Sequence, residues 1–193
     1  MRLTKFALAM AGAVLVLAAL VSSASAGRLS STTQIINASW ARLNFRGGLG
    51  TVECEVILNG TFHSRTIAKV ANSLIGFFTA ANVTRCARGN ATALRETLPW
   101  HLQYSSFSGT LPVISSHSIR IIGESFRVSE PVFGVNCLYR TSTTEPSFET
   151  YNRNTSTGAT TSVTSSGTIR CGEGGIRLEG TSSSITAHTV TLI

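Results

Sequence analysis

The chain has 193 residues, a formal net charge of +7 and four cysteines. Every acidic residue is Glu, which excludes a catalytic triad oriented by Asp and a calcium loop of the EF-hand type. The basic residues are scattered, with no Lys/Arg run of the kind that marks a nucleic-acid interface.

Residues 1–26 carry the pattern of a secretory signal peptide. Arg2 and Lys5 precede an apolar run from Phe6 to Val21, and Ala24-Ser25-Ala26 is a small-x-small cleavage site. The mature chain is then expected over 27–193, as a single secreted β domain with no transmembrane span after signal cleavage. An uncleaved membrane anchor is the alternative. Cleavage removes two of the 16 basic residues, Arg2 and Lys5, leaving 14 against 9 acidic ones. This mild excess suits contact with cell-envelope or anionic polymers, and the signal-peptide pattern predicts a secreted, extracellular or cell-surface location.

Ile35 to Arg46 reads as strand, with Ala41, Leu43 and Phe45 on one face and Trp40, Arg42 and Asn44 on the other. Gly47 to Gly50 predicts a turn. Thr51 to Leu58 alternates, with Val52, Cys54, Val56 and Leu58 inward, and Asn59-Gly60 is a hairpin-turn signal. In HSRTIAKVANSLIG, Ile67, Val70, Ala71 and Leu74 fall at helical spacing between a Ser64 cap and a Gly76 stop. This predicts one short helix over 64–75; two short strands broken at Asn72-Ser73 are the alternative.

Strands are predicted again at Phe77–Thr84, Ala91–Leu98 and Trp100–Ser105. Ser118–Val128 follows with a bulge at Gly123, and then Val135–Thr141. The polar stretch Thr141–Ser162 reads as a mobile loop. Thr164–Cys171, Ile176–Gly180 and Ile185–Ile193 complete the set. About ten short strands separated by turns predict an all-β fold, an antiparallel β-sandwich or barrel.

In an exported chain an even number of cysteines predicts disulfides rather than a metal site. The surroundings repeat: Val52-Glu53-Cys54 matches Val135-Asn136-Cys137, and Arg85-Cys86-Ala87-Arg88-Gly89 matches Arg170-Cys171-Gly172-Glu173-Gly174. Two related halves, about 50–90 and 134–175, would pair Cys54 with Cys86 and Cys137 with Cys171.

Candidate functional residues are few. Pro99 opens a strand in which Trp100, Leu102 and Tyr104 share one face, and His101, Gln103 and Ser105 the other. A core strand is the plain reading. A binding platform for sugar rings would need Trp100 and Tyr104 exposed. His63 and His101 are the remaining binding candidates, while His117 and His188 stand isolated. No residue is assigned a catalytic or metal-binding role, and no cofactor is expected. No G-x-S-x-G, P-loop, dinucleotide fingerprint or H-E-x-x-H motif is present. N-x-S/T sites occur at Asn37, Asn59, Asn82, Asn90 and Asn154.

The stretches GTVECEVILNGTFHS, TIAKVANSLIG and TLPWHLQYSSFSGTLP resemble a family of small secreted bacterial proteins, mainly actinobacterial, of unknown function. The resemblance is best between Gly50 and Pro112. A Cys on a strand, a second Cys and then Leu-Pro-Trp are also distantly similar to PraB-type alkane-oxidation activator proteins. That similarity implies export and a link with the cell surface and biofilm. Neither resemblance supplies a site residue. The expected function is a non-catalytic, exported cell-surface or extracellular-matrix β-sandwich protein. The alternatives are a secreted hydrolase using His63 or His101 with a Ser and a Glu, and a barrel binding a small ligand or lipid.

Overall fold

The alternation of Val52, Cys54, Val56 and Leu58 builds β3 (Gly50–Phe62), and all four side chains are buried. The computed structural model describes residues 28–47, 50–109, 114–130, 135–153, 160–171, 174–181, 184–185 and 190–192, with side chains no further than Asn152. In it β3 lies between β2 (Ile35–Gly47) and β5 (Leu74–Ala87). Beyond β5 come β7 (Trp100–Ser108), β8 (Ser116–Ile122), β11 (Ser147–Arg153), β12 (Thr160–Cys171) and β13 (Gly174–Thr181), with β14 (Ser184–Ile185) beside β2. Neighbours in this sheet are antiparallel. It curls until β13 pairs with β2, at Leu178 and Phe45 among others.

Two small sheets complete the fold. One is β10 (Val135–Arg140), β9 (Ser125–Glu130) and β6 (Asn90–Ala93). The other is β15 (Val190–Leu192), β1 (Arg28–Ser31) and β4 (Thr66–Ala68). The first packs on the inner face of the long sheet. Phe126 of β9 meets Phe45 at 5.2 Å, Trp100 at 5.4 Å and Tyr139 at 5.9 Å between ring centroids. The described residues are thus all-β and antiparallel, and a disulfide, Cys54–Cys86, lies directly across β3 and β5. Cys137 is disulfide-bonded too, but the side chain of Cys171 lies outside the described residues, and the expected Cys137–Cys171 pairing with it. β10 and β12, which carry those two cysteines, belong to different sheets.

Several expectations are corrected. The helix over 64–75 is absent: β4 covers Thr66–Ala68, Ala71-Asn72 turns with Asn72 at φ 66°, and β5 starts at Leu74. Its supposed apolar face does not converge, since Ile67 is buried while Val70 is 62% and Leu74 42% exposed. A short helix gains little in isolation, whereas β4 and β5 both find strand partners. Asn59-Gly60 is not a hairpin turn but the interior of β3, beside a register shift. A Cβ on Gly60 would lie 2.3 Å from the Phe77 carbonyl oxygen, so this Gly permits a close backbone approach. In β2 a bulge between Trp40 and Leu43 restores Trp40 to the inner face, with Leu43 and Phe45. The strand expected over Ala91–Leu98 ends at Ala93 and gives way to a 3-10 turn at Arg95–Thr97.

The largest correction concerns Thr141–Ser162. β11 runs through it, paired on both sides, with Ser147, Glu149 and Tyr151 buried. Gly123 (φ 85°) marks a corner rather than a bulge within one strand. There the chain leaves the long sheet for β9, and it returns at Thr141, whose N–H donates to the Glu124 carbonyl at 2.8 Å.

Candidate functional site

The strand after Pro99 sorts its side chains by strict alternation. Trp100, Leu102 and Tyr104 are buried, and His101 is exposed. The Trp100 indole N–H donates to Thr97 Oγ1 at 2.8 Å, and that hydroxyl donates to the Leu94 carbonyl at 2.7 Å. The 3-10 turn therefore satisfies the buried indole. Burial also raises the pKa of Tyr104. Trp100 and Tyr104 are core residues, and neither forms an outward platform.

His101 does reach an outward aromatic, one that sequence reading passed over. It pairs across the strands with Phe77, and the rings meet at 5.2 Å. His63, at the end of β3, covers the other side of Phe77 at 4.8 Å. The register continues this line on the outer face: Ile35 pairs with Thr61, Thr61 with Phe77, Phe77 with His101, and His101 with Ile122. Five strands at the usual spacing make a row about 19 Å long. Ile35 is 50% exposed. Beside His63 a shallow pocket of about 160 Å³ is lined by Ser64, Thr66, Ile67, Ser73 and Leu74 among others. The missed signal was Phe77-Phe78, two aromatics in succession on a strand, of which only Phe78 can point inward.

A second cluster lies inside. Glu124 accepts a hydrogen bond from the Ser147 hydroxyl, and both are buried. Two residues along β11, Glu149 Oε2 accepts from the Tyr151 hydroxyl at 2.5 Å, while Glu149 Oε1 is buried with no hydrogen bond among the described residues. Burial pushes the Glu124 carboxyl up to about 7, opposed by the Ser147 bond. Burial pushes Glu149 up to about 8; the Tyr151 bond opposes this and the nearby Glu124 adds to it. Tyr139 is raised by burial and then by the charge of Glu124. His117 is not an isolated surface residue: it is buried and stacked on Tyr151 at 4.9 Å, with 10° between the ring planes. His188 lies outside the described residues.

This placement bears on chemistry. His63 and His101 are on the outer face and the two buried glutamates are inside, so the sheet separates these two histidines from them, whereas His117 is buried on the same side as Glu149. Among the described residues, no group of three or more His, Cys, Asp and Glu could hold a metal ion. The interior is filled by Trp40, Trp100, Tyr139, Tyr151, Phe45 and Phe126. No helix among the described residues is long and apolar enough to cross a membrane. No protein-family model, curated protein or solved structure matches the chain.

Proposed function

We propose that this chain is an exported β domain that acts at the cell surface or in the extracellular matrix, by binding rather than by catalysis. The observation that carries this reading is the outward row centred on Phe77 between His63 and His101. It offers one aromatic ring with a hydrogen-bonding imidazole on either side. That combination suits the alternating apolar faces and hydroxyls of an envelope polysaccharide, because ring stacking and polar contacts act together. The signal-peptide pattern of residues 1–26 and the Cys54–Cys86 disulfide support an oxidising, extracytoplasmic setting.

The test is co-sedimentation of the purified protein with isolated cell envelopes and with anionic and neutral polysaccharides. Phe77→Ala and His101→Ala are expected to weaken retention at least about tenfold, a change of about 1.4 kcal/mol, while the folded circular dichroism spectrum is kept. Retention unchanged in both variants would refute the row as the binding face. Hydrolase turnover abolished by His63→Ala or His101→Ala would establish the catalytic alternative instead.

A further inference from the structure

The outer face carries a second row beside the one through Phe77. Leu74 pairs with Gln103, Gln103 with Arg120, and Arg120 with Phe148. Gln103, Arg120 and Phe148 each stand between two buried neighbours on their own strands, and Leu74 is exposed. At the usual strand and residue spacings Arg120 lies about 12 Å from Phe77 along the sheet, and Phe148 about 16 Å. The face thus holds two outward aromatics, Phe77 and Phe148, with a cation between them.

That cation is fixed in place. The Arg120 Nη1 donates to Asn72 Oδ1 and the Nη2 to the Thr143 carbonyl at 2.7 Å, so the guanidinium bridges the β4–β5 turn and the β10–β11 loop. The turn is itself docked, because the Asn72 N–H donates to the Tyr104 carbonyl at 2.9 Å and the Tyr104 N–H to the Ser73 carbonyl at 3.0 Å. Both acceptors of Arg120 are neutral. No carboxylate lies within ion-pair distance of it among the described residues. Glu145, in the same loop as Thr143, is exposed, and the register sets Glu179 on β13 three strands away. Nε is buried, which leaves one further N–H on each of Nη1 and Nη2.

We propose that Arg120 is the anion-recognising residue of this face, so that the polymer bound there is a uronic-acid polysaccharide. The inference rests on the reading of the Phe77 row as the binding face. Two neutral acceptors hold the guanidinium still without neutralising it, so little ordering remains to be done when an anion arrives. A carboxylate gives a planar guanidinium charge-assisted hydrogen bonds. Sugar rings that carry carboxylates match both features of the face, rings for Phe77 and Phe148 and an anion for the residue between them. The basic excess of the chain favours the same partner.

Co-sedimentation with polygalacturonate and with its methyl ester, the same sugar without the charge, tests the assignment. The parent protein is expected to retain polygalacturonate about tenfold more strongly than the ester. Arg120→Gln is expected to lower retention of the charged polymer to that of the ester and to leave the ester unaffected, whereas Phe77→Ala weakens both. Equal retention of the two polymers by the parent protein, or a preference that survives in Arg120→Gln, would overturn the inference and leave polysaccharide binding standing. Retention of neither polymer would overturn it as well; the binding face itself falls only if cell envelopes and the other polysaccharides are also left unbound. Poly(glycerol phosphate) retained as strongly as polygalacturonate, and lost alike in Arg120→Gln, would show a site for anions at large and overturn the uronic-acid assignment. Should Arg120→Gln not fold, titration of the parent protein with a galacturonate oligomer decides. The Arg120 side-chain N–H signals are expected to shift together with the Phe77 ring, and shifts at Phe77 without Arg120 would overturn the inference.

Discussion

The indole of Trp100 meets the ring of Phe126 edge-on, with 5.4 Å between centroids, and this contact joins the long sheet to the β9–β10 hairpin. Trp100→Ala is therefore expected to cost about 3–5 kcal/mol, through lost burial and a cavity between two sheets. His101→Ala, one residue on and exposed, is expected to change stability by no more than about 0.5 kcal/mol. Urea midpoints of the two variants check the pair. A severe His101→Ala with a mild Trp100→Ala would mean that β7 is out of register by one residue.

Cys54 and Cys86 close a loop with a sequence separation of 32. Replacing both with Ser is expected to cost about 3–4 kcal/mol, mainly by freeing the unfolded chain. Peptide mapping without reductant is expected to recover a Cys54–Cys86 peptide. A Cys54–Cys137 or Cys54–Cys171 peptide in its place would contradict the strand pairing of β3 with β5.

Stability is expected to decline with rising pH over the range set by the two buried glutamates. Their ordinary carboxyl value is 4.5, and the folded protein holds them at about 7 and about 8. Between those limits the folded state binds more protons than the unfolded one, so the stability of unfolding falls as pH rises. The contribution is full below about 4.5 and lost through 7 to 8. Thermal melts from pH 4.5 to 9 measure this. Glu149→Gln is expected to flatten the curve and to melt above the parent protein at pH 9.

The hydroxyl partners are expected to matter in their own right. Tyr151→Phe removes the donor 2.5 Å from Glu149 Oε2 and leaves a buried carboxyl less satisfied, at a cost of about 1–3 kcal/mol. The loss is expected to be larger at pH 8 than at pH 5, because the charged carboxylate needs the donor more. Equal losses at both pH values would show that the bond serves packing alone.

Gly76→Ala is expected to disturb the outer row from beneath. A Cβ there would lie 2.3 Å from the Thr61 carbonyl oxygen and 2.9 Å from the Phe62 Cα. Backbone atoms cannot yield as a flexible side chain would, so a cost of about 1–3 kcal/mol follows. Chemical shifts at Thr61, Phe77 and His101 are expected to move together; movement confined to Gly76 would contradict the close approach.

Much of this protein was legible in its sequence. Period-two alternation determined β3 and β7, including which neighbours of Trp100 face solvent, because a strand leaves a side chain only two directions. Cysteines in matching surroundings gave the pairing of Cys54 with Cys86. Tertiary structure decided the rest, for reasons that local pattern does not contain. Ile67, Val70 and Leu74 fit a helix by spacing, but β1, β3 and β7 offered strand partners that a short helix could not outweigh. Ser147-Phe148-Glu149-Thr150-Tyr151 alternates as well, yet its composition resembles a loop. Only the pairing with β8 and β12 turned Ser147, Glu149 and Tyr151 inward. The outer row needed five strands in register before Phe77 could stand between two histidines distant in the chain. Sequence spacing determines which face a side chain takes along its own strand. The strands that lie beside it, and so what the side chain touches, are set by long-range pairing.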